Sequence, residues 1–355
     1  MNMLDMKTKQ LIDTLETEHS LSFEDYQYLI AHNSREARDY IAPKARAAAD
    51  AVYGRDIFVR GLIEFSNYCK NNCYYCGIRA GNAKCERYRL TPEEILDCAR
   101  EGYDLGYRTI VLQSGEDPFF TDEIICGIIK GIKSAHPDCA ITLSIGEKSR
   151  ESYQRYFDAG ADRYLLRHET ADAEHYRKMH PPVMSFSRRM QCLNDLREIG
   201  FAVGAGMMLG SPGQTLQSLA ADLKFLETFR PDMCGMGPFI PHEDTPFREY
   251  PAGTLDMTLY FLSIVRLILP NVLLPATTAL GTIHPLGREM GVQAGANVVM
   301  PNLSPVSVRR KYLLYNDKIC TGDESAQCKG CLANRMATVG CRVVVDRGDP
   351  RKEVS

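Results

Sequence analysis

The chain has 355 residues, of which 45% are hydrophobic and 25% charged, and its formal net charge is −3. That length allows one large domain or two smaller ones, and the near-neutral charge favours neither a nucleic-acid nor a membrane-surface partner. The N-terminus lacks an apolar signal core, and Arg266, Pro270, Asn271 and Pro275 interrupt the most apolar stretch, 259–280, so we expect no membrane span. Thirteen cysteines without a secretion signal indicate a reducing compartment, so we expect a cytoplasmic protein.

Short apolar runs alternate with helical patterns along most of the chain. Residues 1–54 are predicted to form an N-terminal helical cap. The apolar runs then predict eight strands, at 57–65, 109–113, 140–144, 163–168, 201–209, 233–240, 272–276 and 296–300. Clear helical patterns lie at 122–135, 185–199, 215–228 and 254–269. Eight β–α units over roughly 250 residues are typical of a TIM-type barrel. We therefore expect an α/β protein with a complete (β/α)8 barrel over 55–305 and a C-terminal segment over 306–355 that closes it.

Three cysteines follow the first predicted strand. Cys69, Cys73 and Cys76 have the spacing C-x3-C-x2-C. Iron–sulfur clusters are held by cysteine thiolates, and three ligands leave the fourth iron of a [4Fe–4S] cluster open to a substrate or cofactor. Tyr75 precedes the last cysteine, where an aromatic ring can lie beside a bound nucleotide. Zinc usually takes four ligands in paired short spacings, which the first gap fits poorly; cysteines that only pack are the other alternative.

Polar and sulfur-containing residues recur near the ends of the predicted strands, where barrel enzymes place their active sites. They are Gln113, Ser114, Glu116, Thr142, Ser144, Arg163, Arg167, Glu169, Met208, Met233, Thr277, Thr278 and Met300. Glu169 can accept hydrogen bonds from a ribose diol, and Arg189 can pair with a carboxylate through two parallel bonds. An arginine here can instead pair with a neighbouring carboxylate, for which Glu169 is the obvious partner. Methionines are often core residues.

A second cysteine set lies near the C-terminus. Cys320, Cys328 and Cys331 are followed ten residues later by Cys341. The set can hold another iron–sulfur cluster, or zinc if Cys341 supplies a fourth ligand. We expect the remaining six cysteines to be packing residues.

Several longer segments resemble a known family. Residues 63–69 together with the first cysteine triplet resemble the biotin-synthase-like branch of the radical S-adenosylmethionine (SAM) enzymes. Segments 110–118, 163–170, 237–242, 275–279 and 295–301, and the C-terminal triplet, are similar to the HydE family of [FeFe]-hydrogenase maturases. This resemblance runs from about 55 to 331. In radical SAM enzymes the open iron chelates SAM, and the cluster's electron splits SAM into methionine and a 5′-deoxyadenosyl radical.

The resemblance implies two sets of site residues. SAM contacts are implied for Gln113, Ser114, Ser144, Glu169, Arg189, Met208, Met300 and Tyr312, and from the residues themselves we add Tyr75 and Glu116. A deeper anion- or carboxylate-binding pocket is implied for Thr142, Arg163, Arg167, Met233, Thr277, Thr278 and Tyr315. The implied substrate is a cysteine-bound Fe(CO)2CN synthon from a partner maturase, attacked at its sulfur by the radical.

The resemblance also bears on partners and alternatives. It implies transient contact with the other maturases and with an electron donor such as a ferredoxin or flavodoxin, and a C-terminal cluster that is not needed for activity. A methylornithine synthase or a biotin synthase would share the barrel and the first triplet. The former should lack the C-terminal triplet, and the latter needs ligands for a second cluster that no strand-end cysteine here provides. A non-catalytic iron–sulfur carrier is the alternative from another class, disfavoured by the SAM-like residues at the strand ends.

Overall fold

The computed structural model describes residues 4–322 and 325–351, with the backbone alone at 325–329. Three helices precede the first strand: α1 (Met6–Glu18), α2 (Phe23–Ala31) and α3 (Arg35–Tyr53). Asp5, Ser22 and Ser34 each accept a backbone N–H of the first turn, which satisfies donors that a helix leaves unpaired. These helices pack against later ones, α3 against the helix Leu255–Ile268 and α2 against the helix Leu216–Phe229.

The centre of the molecule is a sheet of six parallel strands. The strands of the chain are β1 (Asp56–Val59), β2 (Gly61–Ser66), β3 (Thr109–Ser114), β4 (Ala140–Ser144), β5 (Arg163–Leu165), β6 (Ala202–Ala205), β7 (Met208–Leu209), β8 (Met233–Cys234), β9 (Gly237–Pro238), β10 (Val298–Val299) and β11 (Arg342–Val344). The central sheet has the order β2-β3-β4-β5-β6-β8, and β7 pairs with β9. The predicted α/β class is confirmed.

Helices follow most of the strands and cover the sheet. They are α4 (Pro92–Asp104), α5 (Asp122–Ala135), α6 (Arg150–Asp158), α7 (Ala173–Met179), α8 (Phe186–Ile199), α9 (Leu216–Phe229), α10 (Leu255–Ile268), α11 (Thr278–Ile283), α12 (Gly287–Gln293), α13 (Val306–Arg309) and α14 (Ser325–Ala337). α4 begins with a reciprocal capping box between Thr91 and Glu94, with Pro92 in its first turn. Because the strands are parallel, their carboxyl ends meet at one edge, which we call the mouth. No helix in the described part of the chain combines the length and apolarity that a membrane crossing requires.

The strand pattern differs from the prediction in its last quarter. The stretch 272–276 forms no regular strand; Leu273 and Pro275 make single parallel bridges to Met233 and Val298. Proline has no N–H for a ladder bond, and the N–H of Leu274 donates to the side chain of Asn297 at 2.9 Å. Of the eight expected strands, the seventh is thus replaced by single bridges, which connect β8 to β10, where the eighth strand was expected. We call the six-stranded sheet together with these bridges and β10 the wall.

The C-terminal segment returns to the end of the sheet opposite the mouth, which we call the floor. β11, which the sequence analysis did not predict, pairs in parallel with β1. Beyond it, the Asp349 carboxylate lies 2.6 Å from the guanidinium of Arg163, and the carbonyl of Arg347 accepts from the same guanidinium at 2.8 Å. Arg163 is only 1% exposed and also donates to Thr109, the first residue of β3. Arg163 starts β5 and the C-terminal segment occupies its guanidinium, so its role in the substrate pocket stays a prediction.

Candidate functional site

The first cysteine triplet lies in the loop that leaves β2 at the mouth. Burial, together with a smaller contribution from the neighbouring Cys69 thiol, raises the pKa of Cys73 to about 12. Burial also raises the pKa of Cys76, with added contributions from Cys73 and Cys69. Each thiol therefore lies within the electrostatic reach of the others. Thiols of this kind keep their protons until a metal displaces them, so the trio fits a metal-bound group better than a set of free nucleophiles. Among the described residues, no three His, Cys, Asp or Glu side chains are grouped around a single metal ion. A [4Fe–4S] cluster does not require such a group, because each cysteine binds a different iron.

One arginine fixes the loop that carries the triplet. The Arg87 guanidinium donates to the carbonyls of Asn67 at 2.5 Å, Ile78 at 2.8 Å, Arg79 at 2.7 Å and Asn82 at 3.3 Å. These carbonyls flank the triplet on both sides. Arg87 thereby ties the beginning of the cysteine loop to its end.

The loop after β3 packs directly against Cys69. A Cβ on Gly115 would lie 2.3 Å from the Tyr68 carbonyl oxygen, so only glycine allows this approach. The N–H of Glu116 lies 3.4 Å from the Cys69 sulfur. The next residue, Asp117, has a buried carboxylate that accepts from Ser66 at 2.6 Å and from Arg89 at 2.7 Å. These bonds hold the predicted residues Ser114 and Glu116 beside the cysteine loop.

Tyr75 is held by a histidine that the sequence analysis did not single out. Its hydroxyl lies 3.2 Å from Nε2 of His180, while Nδ1 of His180 lies 2.9 Å from the Tyr176 carbonyl. Nδ1 therefore carries the proton and Nε2 accepts from Tyr75. Burial lowers the pKa of His180 to about 4, which keeps the ring neutral. Tyr75 also packs on an apolar cluster that contains Met208.

Two arginines and two carboxylates meet beyond β4 and β5. Arg189 donates to Glu147 at 2.6 Å and to the carbonyl of Arg167 at 2.6 Å. Burial lowers the pKa of Arg189, but its attraction to the neighbouring Glu147 carboxylate opposes this, and the pKa is raised overall. Arg167 lies 3.2 Å from Glu169 and donates to the carbonyl of Met207 at 2.7 Å. Glu169 has φ of 66°, a left-handed conformation that non-glycine residues seldom adopt. Glu169 was named as the obvious partner of an arginine at this strand end. The structure pairs it with Arg167, whereas Arg163 pairs with Asp349.

Further predicted residues lie on β3 and β4. Nε2 of Gln113 lies 3.5 Å from the Tyr312 hydroxyl, and Ser144 is the register partner of Gln113 on β4. The Thr142 hydroxyl is buried and has no hydrogen-bond partner among the described residues. An unpaired buried hydroxyl is costly, so Thr142 marks a point where a ligand would be stabilised.

The remaining predicted residues lie on the segments that continue the wall. Thr277 caps α11 by accepting from the N–H of Leu280 at 3.3 Å, and Thr278 begins that helix. Burial raises the pKa of Tyr315, which hydrogen-bonds Thr282 of the same helix. The structure therefore brings Thr277, Thr278 and Tyr315 to one region.

Two methionines predicted for the site, Met233 and Met300, lie nearer the floor of the sheet than its mouth. The Met233 sulfur accepts from Arg60 at 2.8 Å, and Met233 packs with Tyr53 and Phe58 in a small cluster that Met300 also contacts. Met233 thus lies near the floor, where it packs on the residues that start the wall. None of the described contacts of the Met233 side chain is to Thr277 or Thr278, with which it was predicted to line the pocket.

The second cysteine set extends outside the described side chains at Cys328. Cys320 accepts a hydrogen bond from Arg288 at 3.4 Å, Cys331 is exposed, and Cys341 is buried. Cys341 packs in the main hydrophobic core, which matches a packing residue. A metal group on Cys320, Cys328 and Cys331 stays a prediction.

A buried ion pair inside the wall was missed by the sequence analysis. Glu64 of β2 and Lys318 of the C-terminal segment lie 2.5 Å apart, with side chains 1% and 7% exposed. The signal available was a carboxylate in the middle of an otherwise apolar strand, because an ionised group in such a place requires a partner. Nothing in the sequence pattern identified the partner, which is 254 residues away.

A parallel α/β wall with a three-thiol loop at the mouth is typical of enzymes that hold an iron–sulfur cluster. The sequence profile of the radical SAM superfamily matches residues 63–226. The chain is 46% identical to the [FeFe] hydrogenase maturase subunit HydE of Thermotoga maritima, over 84% of this chain and 85% of that protein. It is 30% identical to 3-methylornithine synthase of Methanosarcina barkeri, over 81% of each chain. The crystal structure of methylornithine synthase (PylB) superposes with a TM-score of 0.83, 26% identity, and coverage of 94% of this chain and 97% of that one.

The chain belongs to the radical SAM superfamily, which confirms the family resemblance drawn from the sequence. It is a radical SAM enzyme, and its cofactors are a [4Fe–4S] cluster and SAM.

Proposed function

We propose that this chain is a HydE-type maturase that acts in the assembly of the [FeFe]-hydrogenase active site. The supporting observation is the 46% identity to HydE over 84% of the chain. The 30% identity to 3-methylornithine synthase is lower over a similar length, so the similarity favours the maturase. The alternative of a non-catalytic carrier is removed because the chain is a radical SAM enzyme.

The cofactor site of this proposal lies at the mouth. Cys69, Cys73 and Cys76 hold the cluster, which supplies one electron for the reductive cleavage of SAM when it is bound. Glu116 and Ser114, held beside the cysteine loop, would bind the amino group of SAM. Their fixed position derives from the short contacts of the loop after β3 with the cysteine loop, so the site is formed before SAM binds.

The remaining SAM contacts come from the neighbouring strands and the C-terminal segment. Arg189 binds the SAM carboxylate, and Glu169 accepts from the ribose. Tyr75 and Met208 pack together on one side of the mouth, and Gln113 and Tyr312 lie in contact on another. Ser144 completes the proposed set, and Met300 is left out of it because it contacts the cluster of Met233 near the floor.

The substrate pocket of this proposal lies deeper, between the strands. This pocket binds the carboxylate and the sulfur-bearing end of a cysteine-bound iron–carbonyl–cyanide synthon. Its residues are Arg167, Thr142, Thr277, Thr278 and Tyr315. The buried hydroxyl of Thr142 lacks a partner among the described residues, and Arg167 keeps a side chain 32% exposed. We leave Arg163 and Met233 out of this pocket because their contacts lie at the floor.

The proposal is tested by anaerobic reconstitution of the protein followed by measurement of 5′-deoxyadenosine after reduction. We expect deoxyadenosine formation that increases when the cysteine-bound iron synthon is added, and no such increase with free cysteine. The other maturases supply the synthon in the same vessel. Deoxyadenosine formation that never responds to the synthon would contradict the proposed substrate.

A further inference from the structure

The C-terminal segment 311–318 crosses the mouth beside the cysteine loop. The side-chain amide of Asn67 donates to the carbonyl of Lys311 at 2.7 Å, and the N–H of Gly77 donates to the carbonyl of Leu314 at 2.9 Å. Asn67 and Gly77 lie just before and just after the cysteine triplet. The N–H of Asn316 bonds Pro241 across the mouth at 3.1 Å. The segment is therefore a strap over the cofactor site, and we use that name for residues 311–318.

The strap is fastened at its end by an ion pair inside the wall. Nζ of Lys318 lies 2.5 Å from Oε1 of Glu64, and Oε2 of Glu64 accepts from Asn302 at 2.7 Å. Burying two charges is costly and is repaid only when the pair is close and its other polar atoms are bonded. Both conditions hold here, because each carboxylate oxygen of Glu64 has a partner. Such a pair strongly favours a single position of the strap, since Lys318 has no second buried carboxylate among the described contacts of its ammonium group.

Lys318 also binds the residue that the strap presents to the mouth. Its ammonium group donates to the Tyr312 carbonyl at 2.9 Å and lies 4.9 Å from the centre of the Tyr312 ring. The Tyr312 hydroxyl meets Gln113 at the end of β3. Glu64 and Gln113 are register partners on adjacent strands. The ion pair and the tyrosine therefore form one connected unit across β2, β3 and the strap.

We propose that Glu64 and Lys318 are positioning residues for SAM: they fasten the strap from inside the wall and so hold Tyr312 in the cofactor site. This inference rests on the proposed function only in taking Tyr312 as a SAM contact. It also assigns the fastening to the ion pair rather than to the second cysteine set. Cys320 follows Lys318 by two residues, and its described bond is to Arg288, so the strap is held whether or not those cysteines carry a metal.

The first test compares SAM affinity, by anaerobic titration, in reconstituted variants of the full chain. Lys318→Met removes the fastening charge. Glu64→Gln with Lys318→Met removes both charges with similar side-chain volume, so it avoids the lone buried carboxylate that destabilises the single variant. The matched control is Lys311→Met, because Lys311 lies on the same strap but pairs with Glu86 at the surface. Cys320→Ser tests the second cysteine set.

We expect both Lys318→Met variants to bind SAM at least about tenfold more weakly while iron on the first triplet is retained. Lys311→Met and Cys320→Ser should stay within about twofold of the parent. Wild-type SAM affinity in the double variant overturns the proposal. Loss of SAM affinity in Cys320→Ser equal to that in the double variant overturns the assignment of the fastening to the ion pair.

A second measurement does not depend on SAM. Hydrogen exchange of 311–318 in the reconstituted protein should be at least about tenfold faster in the double variant than in Lys311→Met, because the strap has lost its interior anchor. Unchanged exchange overturns the fastening role even if SAM affinity falls. If the parent protein neither binds nor cleaves SAM, the cofactor roles fail, and this exchange measurement still decides whether the ion pair fastens the strap.

Discussion

Replacing Arg87 by alanine is expected to loosen the loop that holds the cluster. The guanidinium donates to four carbonyls around the triplet, three of them at 2.5–2.8 Å. A hydrogen bond from a charged donor contributes about 1.5–3 kcal/mol when well formed. Arg87 is only partly buried, so we take about 1 kcal/mol for each of the three short bonds after discounting for solvent. The sum, about 3 kcal/mol, corresponds to about a hundredfold shift towards open forms of the loop.

The consequence is measured as cluster retention. After anaerobic reconstitution and challenge with an iron chelator, the Arg87→Ala protein should lose iron from the first triplet at least about tenfold faster. Arg87→Lys should recover little, because an ammonium group cannot span four carbonyls as a planar guanidinium does. SAM cleavage per remaining cluster should be close to that of the parent.

The matched control lies in the same loop. Arg79 makes one described side-chain bond there, to the Asn72 carbonyl at 3.4 Å, so Arg79→Ala should retain iron nearly as the parent does. An Arg87→Ala protein with the iron-loss rate of Arg79→Ala would refute the reasoning that the four carbonyls hold the loop.

Three further predictions concern residues whose roles the structure separates. Arg189→Ala should weaken SAM binding at least about tenfold, whereas Arg167→Ala should mainly reduce synthon-dependent turnover; equal loss of SAM binding in both would place Arg167 in the cofactor site. Arg163→Ala should lower thermal stability and leave SAM affinity unchanged, because its guanidinium binds the C-terminal segment at the floor; a similar drop in Asp349→Ala supports this, and weakened SAM binding in either variant argues against it. Cys328→Ala should lose iron from the second set and keep SAM cleavage, and complete loss of cleavage in a folded protein would show that the second set is essential.

The sequence was sufficient to predict those elements whose determinants are local. The helices at 122–135, 185–199 and 254–269 were predicted within a residue or two of α5, α8 and α10, because apolar periodicity and capping residues lie within each segment. The cysteine triplet was recognised for the same reason, since its ligands are adjacent in the chain.

Other features depend on contacts between distant segments. Pro275 and the side chain of Asn297 interrupt the expected seventh strand, and only the folded chain brings Asn297 to Leu274. Arg163 was placed in the pocket because the family resemblance implied it, but the residue starts its strand and meets Asp349, 186 residues away. The periodic pattern of a sequence cannot show whether a long arginine side chain reaches the mouth or the floor of the sheet.

The same limit applies to the supports of the site. His180 orients Tyr75 across 105 residues, and Lys318 meets Glu64 across 254. Tyr75, His180 and Lys318 lie in loops, where such residue types are common, so none of them stands out alone. Glu64 does stand out as a carboxylate within an apolar strand, but the sequence does not identify its partner. Their significance follows from burial and distance, which only the structure provides.

The central claim is that this radical SAM enzyme serves hydrogenase maturation, and one measurement tests it most directly. Purified apo-hydrogenase is incubated anaerobically with the other maturases, SAM, a reductant and this protein, and hydrogen evolution is recorded. The account predicts activation that requires this protein and disappears when Cys73→Ala replaces it. A protein that forms 5′-deoxyadenosine from SAM but gives no activation above the mixture without it would contradict the claim.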